Sequence, residues 1–230
     1  MIKLKELQEI IGYSYKNEDY LIEALTHSSY ANENKKKNKK YNERLEFLGD
    51  SVLGIIISNY LYKDQEDLPE GDLTKIRANI VCEESLKEAA DTIKLGKYLF
   101  LGKGEEITGG RERTSIIADT FEALIGSIYL DGGLDAATTF VYKVMDTIIV
   151  DAVEGRIFRD YKTQLQEMLQ SRTDEKISYD VVEEKGPDHD KKFVMEVRLG
   201  KKVLGSGEGK SKKEAEQKAA KKAIMGMIEE

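Results

Sequence analysis

The 230-residue chain has no tryptophan, one cysteine, two prolines and two histidines. Each scarcity excludes something. With Cys82 alone, no intrachain disulfide is possible, and a reducing cytoplasm is the expected compartment. No His is near it in sequence, so Cys82 reads as a core or surface thiol rather than a nucleophile. One Cys and two distant His residues are too few ligands for zinc. No window approaches about 18 uninterrupted apolar residues, so no membrane span is expected. The stretch 1–9 lacks the apolar segment of a signal peptide. Gly96, Gly102, Gly104, Gly109 and Gly110 mark a loop over about 96–113. They are followed by no Gly-Lys-Ser/Thr, which excludes a phosphate-cradling nucleotide loop.

What remains is helix-prone and charged. Apolar residues make up 40% of the chain and charged residues 34%. That is enough for a core, and the length allows one or two domains. The net charge of −7 is unevenly spread. Residues 1–155 hold 19 Lys and Arg against 28 Asp and Glu, whereas residues 156–230 hold 17 against 15. An acidic block thus precedes a mildly basic one, and any nucleic-acid contact must rest on local clusters rather than total charge.

The acidic block is organised around Asn42-Glu43-Arg44-Leu45-Glu46-Phe47-Leu48-Gly49-Asp50-Ser51-Val52-Leu53-Gly54. On a helix over about 42–63, Glu43, Glu46 and Asp50 fall within roughly 60° of one another. Phe47, Leu53 and Ile57 share that side, and apolar residues cover the other, so three acids are set into a helix that is apolar almost all round. Clustered carboxylates away from water need cations. Neither Lys nor His occupies that face, and Arg44 points elsewhere, so a divalent metal is the natural candidate. Solvation, or pairing with cations from elsewhere in the fold, is the alternative.

A second such helix runs through 116–130, with Asp119 and Glu122 at i and i+3. Gly126 lies on the same side, as Gly54 roughly does on the first helix, and small residues there allow close approach. Two such helices facing each other present four carboxylates. An all-oxygen site of that kind suits magnesium, which keeps several waters and bridges to phosphate. Shorter helices are expected over 2–11, closed by Gly12, over 17–28, and from Glu70, where Glu70 and Asp72 suit the helix dipole. Residues 31–41, rich in lysine, read as a polar loop with a basic edge. Asp131-Gly132-Gly133 ends the second acidic helix before another over about 134–151.

Periodicity lapses near Glu154-Gly155-Arg156, which reads as a linker over 153–159 between domains at 1–152 and 160–229. The second domain reads as α-β-β-β-α, with a helix over 161–172, strands over about 176–184, 192–199 and 201–208, and a last helix from Ser211. Ser211 and Glu214 have capping-box spacing. Free N–H groups there, with Lys210, Lys212 and Lys213, offer a phosphate site, although an ordinary capped surface helix has the same spacing.

These motifs resemble the ribonuclease III family of double-stranded-RNA endonucleases. The likeness covers residues 42–54, Glu70-Gly71-Asp72-Leu73, Gly102-Lys103-Gly104-Glu105-Glu106 and 119–130. It continues through Lys162-Thr163-Gln164-Leu165-Gln166-Glu167, Gly186-Pro187-Asp188-His189 and residues 207–215 of the second domain. The resemblance implies an all-helical endonuclease domain followed by a small α-β-β-β-α double-stranded-RNA-binding domain. It implies a cytoplasmic homodimer that binds Mg²⁺, with Mn²⁺ able to substitute, and processes ribosomal RNA precursors. By resemblance Glu46, Asp50, Asp119 and Glu122 are metal ligands, Asp50 and Glu122 are the catalytic acids, and Glu43 and Glu70 support the site. Products would carry a 5′-phosphate, a 3′-hydroxyl and a short 3′ overhang. Gln166 and Gln170 would reach one RNA minor groove, Pro187, Asp188 and His189 the next, and Lys210, Ser211, Lys212 and Lys213 the phosphates between. The absence of a His near the acids argues against metal-independent imidazole chemistry.

Overall fold

Helices follow one another along the first part of the chain: α1 (Leu4–Ile11), α2 (Glu18–Ala24), α3 (Ser28–Glu33), α4 (Glu43–Asp64), α5 (Glu70–Ile80), α6 (Glu83–Thr92), α7 (Lys103–Ile107) and α8 (Thr114–Val153). A 3₁₀ turn at Leu95–Tyr98 joins α6 to α7. The computed structural model describes residues 4–34, 40–155, 161–170, 172–173, 175–186 and 191–228. It divides into two units, Met1–Ile157 and Phe158–Glu230. Residues 156–159 of the expected linker and 35–39 of the lysine-rich loop lie outside the described residues.

The long helix α8 is two helices in practice. Gly133 adopts φ 83 and ψ −178, a backbone state that L side chains avoid. Phe121 and Phe140 stack with ring centroids 5.6 Å apart. Along a straight helix those residues would be about 28 Å apart. The chain therefore folds back at Gly133, as the glycine pair suggested. Asp131 pins this corner by accepting from the Tyr13 hydroxyl at 2.7 Å, Lys16 N at 2.8 Å and Asn17 N at 2.9 Å. Leu53, Ile57 and Leu61 of α4 and Phe121, Leu124, Ile125 and Ile128 of α8 are almost wholly buried in one core, with Leu7, Leu21 and Ile80. Among the described residues no helix is long and apolar enough to cross a membrane.

Three local expectations change. The helix expected over 17–28 stops at Ala24, because the chain leaves it to make extended contacts: Phe100 N donates to Leu25 O and His27 N to Phe100 O. Helix α3 then occupies Ser28–Glu33, where part of a loop was expected. The helix expected from Glu70 does start there and ends at Ile80, and Cys82, extended at φ −73 and ψ 156, begins a separate α6. The glycine-marked segment 96–113 contains the 3₁₀ turn and α7 rather than only loop. Arg111 holds it together, donating to the Gly96 and Leu99 carbonyls at 2.9 Å and pairing with Glu106 at 2.6 Å.

The second unit runs α9 (Tyr161–Gln170), β1 (Ile177–Lys185), β2 (Lys192–Leu199), β3 (Lys202–Gly209) and α10 (Lys212–Ile228). The strands form an antiparallel sheet in the order β1-β2-β3. Each begins and ends within a residue of its expected position, because alternation of apolar and polar side chains marks a strand with one buried face. Tyr179, Val197 and Gly205 stand side by side across the three strands. Val197 and Met195 are buried, and Leu165, Leu169, Ala219, Ala220, Ala223 and Ile224 complete the helix layer. Gly205, Gly207 and Gly209 leave room for α10: a Cβ at Gly205 would lie 2.6 Å from the Ala219 carbonyl.

Candidate active site

Helices α4 and α8 touch backbone to backbone. A Cβ on Gly49 would overlap the Glu122 carbonyl, and one on Gly126 would run into the Leu45 carbonyl. Two glycines thus let the helices close where a pair of alanines would hold them apart. Gly126 was expected in this role. Its counterpart on α4 is Gly49 and not Gly54, which faces open space.

The crossing gathers acids. Ligand-capable atoms of Glu46, Asp119 and Glu122 all lie within 4.8 Å of one another. Asp50 is more exposed and stands outside that group, although its charge acts on both Glu122 and Glu46. Glu43, one turn before Glu46, is exposed and acts on Glu46. Glu70 is exposed in the first turn of α5, where it accepts from Thr74 Oγ1 at 2.9 Å, and it is not brought into the cluster. Helix α4 is also less enclosed than its composition suggested. Phe47 is 78% exposed and Ile55 56%, so one apolar stripe faces outward.

Repulsion and burial are both legible in the acids. Glu122 is pushed up to about 8, first by burial and then by the charges of Asp50, Glu46 and Asp119. Glu46 is raised by burial and by Asp119, Glu43 and Asp50, and burial also raises Asp119. Among the described residues, no Lys or Arg forms an ion pair with Glu46, Asp50, Asp119 or Glu122. The donor set fits a hard divalent cation. All donors are carboxylate oxygens, their span is close to the roughly 4.2 Å between opposite ligands of Mg²⁺, and their mutual repulsion favours positive charge.

Two neighbours of the cluster were missed. Glu83, at the start of α6, carries a raised pKa from burial, from Glu84 and from Asp119. An acid in a first turn looks like a dipole partner, so nothing in its spacing singled it out. His27 acts on Asp119 as well, opposing the effect of burial. The expectation of no His near the acids therefore fails. Asn42 N donates to Thr26 O at 2.9 Å, which brings the α2–α3 turn to the start of α4 across a gap that sequence spacing does not show.

In the second unit, Gln166 and Gln170 are exposed on α9 and border a surface hollow with Lys162, Thr173 and Lys176. Lys210, Ser211, Lys212 and Lys213 are exposed at the start of α10. Ser211 Oγ accepts from Glu214 N at 3.1 Å and Glu214 Oε2 accepts from Lys210 N at 2.8 Å, a capping box shifted by one residue on its return bond. Lys212 pairs with Glu184 at 3.6 Å and sits 5.5 Å over the Phe193 ring. Pro187, Asp188 and His189 lie outside the described residues.

Comparison with known proteins agrees with this division of labour. A family described as Ribonuclease-III-like matches residues 17–148, and a double-stranded RNA binding motif matches 161–225. A Ribonuclease 3 of Caldanaerobacter subterraneus is 55% identical, covering 96% of this chain and 96% of its own. One of Clostridium tetani is 53% identical, covering 97% of this chain and 94% of its own. The solved nuclease domain of ribonuclease III from Campylobacter jejuni superposes with a TM-score of 0.59 at 37% identity, over 63% of this chain and 97% of that one. The helical unit with its carboxylates and the α-β-β-β-α unit are thus an endoribonuclease domain and a double-stranded-RNA-binding domain, and the chain belongs to the ribonuclease III family.

Proposed function

We propose that the protein hydrolyses phosphodiester bonds of double-stranded RNA with Mg²⁺ held by Glu46, Asp50, Asp119 and Glu122. The observation that carries this reading is the meeting of Glu46, Asp119 and Glu122 within 4.8 Å at a glycine-on-glycine helix crossing. A bound divalent ion supplies an acidified water and neutralises the phosphate, and Mn²⁺ can do the same. Asp50 and Glu122 act as the catalytic acids of this set: Asp50, at the exposed edge, faces incoming RNA, and Glu122, the most strongly raised, forms the floor. Glu43 and Glu70 act from the rim.

Products then carry a 5′-phosphate and a 3′-hydroxyl. Short 3′ overhangs need two sites on opposite strands, which a homodimer provides. The exposed stripe of Phe47 and Ile55 on α4 supports such a dimer, and the Campylobacter nuclease domain has a region involved in dimer formation. Recognition by the second domain is by shape, since the major groove of duplex RNA is too deep and narrow for side chains and contacts go to 2′-hydroxyls and phosphates across the minor grooves. Gln166, Gln170 and the Lys210–Lys213 corner supply those contacts, joined by Pro187, Asp188 and His189. We assign the domains to 1–152 and 160–229, the compartment to the cytoplasm, and the substrates to ribosomal RNA precursors and other structured transcripts.

Long double-stranded RNA incubated with the purified protein tests this reading. Cleavage to short duplexes with Mg²⁺, none in EDTA and no attack on single-stranded RNA are expected. RNA that is retarded but uncut in Mg²⁺ would leave a non-catalytic binding protein.

A further inference from the structure

At one end of the second unit's sheet, Glu184, Phe193 and Gly209 stand in register across β1, β2 and β3. The first turn of α10 lies against Gly209, where a Cβ would come 2.7 Å from Ala215 N and 2.9 Å from Glu214 Cβ. Ser211 Oγ and the Glu214 carboxylate cap that helix start and fix it on the strand. Lys212, in the same turn, thereby comes over the neighbouring strand, with Nζ 5.5 Å from the centre of the Phe193 ring. Lys191, just before β2, brings its own Nζ to 5.9 Å from that ring. Two ammonium groups drawn to one aromatic ring repel each other.

Glu184 offsets that repulsion. Its Oε2 is 2.9 Å from Lys191 Nζ and its Oε1 is 3.6 Å from Lys212 Nζ, so one carboxylate serves both lysines. The hydrogen bond from Lys191 first, and then the charges of both lysines, hold the carboxyl below its usual range. Among the described residues neither lysine pairs with another acid. All three side chains keep at least a third of their surface exposed, so the contact opens to water and can be exchanged. Of these residues sequence spacing singled out only Lys212; strand register brings the others to it.

We propose that this cluster is a phosphate site with a built-in occupant: the Glu184 carboxylate holds Lys191 and Lys212 together in the free protein and gives way to an RNA phosphate on binding. The proposal rests on the reading of the Lys210–Lys213 corner as a contact to duplex phosphates. A phosphodiester shares its charge between two oxygens, as a carboxylate does, and charge-assisted bonds from lysine suit either. A phosphate neutralised by a lysine sheds a condensed cation, which is why duplex binding weakens with salt. The displaced Glu184 gathers a cation in turn, so the two changes offset and the site adds little to the salt slope. Glu184 therefore lowers affinity and salt sensitivity together while keeping two like charges in place for the ligand.

Duplex binding by the full chain is measured in EDTA from about 50 to 200 mM salt, with the melting temperature alongside. Glu184→Gln should tighten binding roughly 2- to 10-fold at the low-salt end, the scale of two exposed ion pairs, and steepen the slope by up to about one unit. It should also raise the cost of Lys191→Ala and Lys212→Ala. Glu183→Gln is the control, since it removes the same charge one residue away, from a carboxylate that pairs with Lys185 at 2.7 Å. It should tighten binding by less and leave the cost of Lys212→Ala as it is in the native chain. Unchanged binding in Glu184→Gln, or equal effects of the two Gln variants, overturns the exchange. Weaker binding with a lower melting temperature in Glu184→Gln assigns the carboxylate to the fold and overturns it as well. If Lys191→Ala and Lys212→Ala cost nothing even in the Glu184→Gln background, the lysine corner does not hold phosphate, and the reading beneath the proposal fails.

Discussion

Both units use glycine to bring two elements closer than side chains allow, and they put that closeness to opposite uses. In the helical unit, Gly49 and Gly126 let α4 and α8 meet, and like charges are concentrated at the crossing. In the second, Gly205, Gly207 and Gly209 let the alanines of α10 settle on β3, and only apolar groups are brought together. Several charges of the second unit are instead held in opposite pairs, such as Lys162–Glu216 at 2.7 Å and Lys192–Glu208 at 3.2 Å. Exposed pairs of that kind contribute about 0–1 kcal/mol each. Cleavage chemistry needs a fold that holds repelling groups together. Duplex recognition needs only a rigid surface that displays donors and cations.

Glu122 is where the two halves separate most sharply. Glu122→Gln keeps the shape and removes a ligand charge, so cleavage should fall by at least about 100-fold. Retardation of double-stranded RNA in EDTA should be unchanged, and a parallel loss of binding would show that the acids serve the fold rather than the reaction. Next come the glycines. Gly126→Ala pushes α4 away from α8, and Gly207→Ala pushes β3 away from the Ala215 and Ala219 backbone. Each should lower stability in urea by about 2–3 kcal/mol, as overpacking does. Only Gly126→Ala should also weaken Mg²⁺ binding in calorimetry; equal weakening by both would mean that the carboxylate geometry does not depend on the crossing.

A smaller effect separates the units by pH. Glu122 moves from 4.5 in the unfolded chain to about 8 in the fold. A raised carboxyl binds its proton more tightly when folded, so its contribution is present below about 4.5 and is lost as pH rises toward 8. After allowance for partial exposure, the loss is about 1–2 kcal/mol. Urea midpoints in EDTA should therefore fall between pH 5 and pH 8. Glu122→Gln should flatten that slope, and Mg²⁺ at pH 8 should reverse it. A wild-type slope that survives in Glu122→Gln would place its origin elsewhere.

Much of this was legible wherever a local period carried the information. Spacing alone put Glu46 near Asp50 and Asp119 near Glu122, alternation placed β1 to β3, and Ser211 with Glu214 announced the start of α10. Failures have one cause in common. Whether Gly49 or Gly54 meets α8 depends on which face of α4 the partner takes, and both glycines sit among apolar neighbours. His27 and Glu83 reach Asp119 only through pairings across long stretches of chain, the Thr26–Asn42 and Leu25–Phe100 contacts for His27 and the break at Cys82 for Glu83. No window of sequence contains such a pairing.

The finest distinction lies within the lysines of α10. Lys212 and Lys213 are equally exposed to a reader of the sequence, yet Lys212 shares its charge with Glu184 at 3.6 Å. Lys191 and Lys212 together hold that carboxyl below its usual range. An RNA phosphate drawing on Lys212 must compete with Glu184, whereas nothing on β1 competes for Lys213 among the pairs described. Lys213→Ala should therefore lower the salt dependence of duplex binding by about one unit of slope, and Lys212→Ala by less. Binding measured from about 50 to 200 mM salt gives both slopes. Removing Glu184 along with it supplies the control: in a Glu184→Gln background, Lys212→Ala should cost as much as Lys213→Ala. If the two lysines already match in the native background, the pair with Glu184 is too weakly held in water to direct RNA, and the rim of this domain recognises the duplex by its summed charge alone.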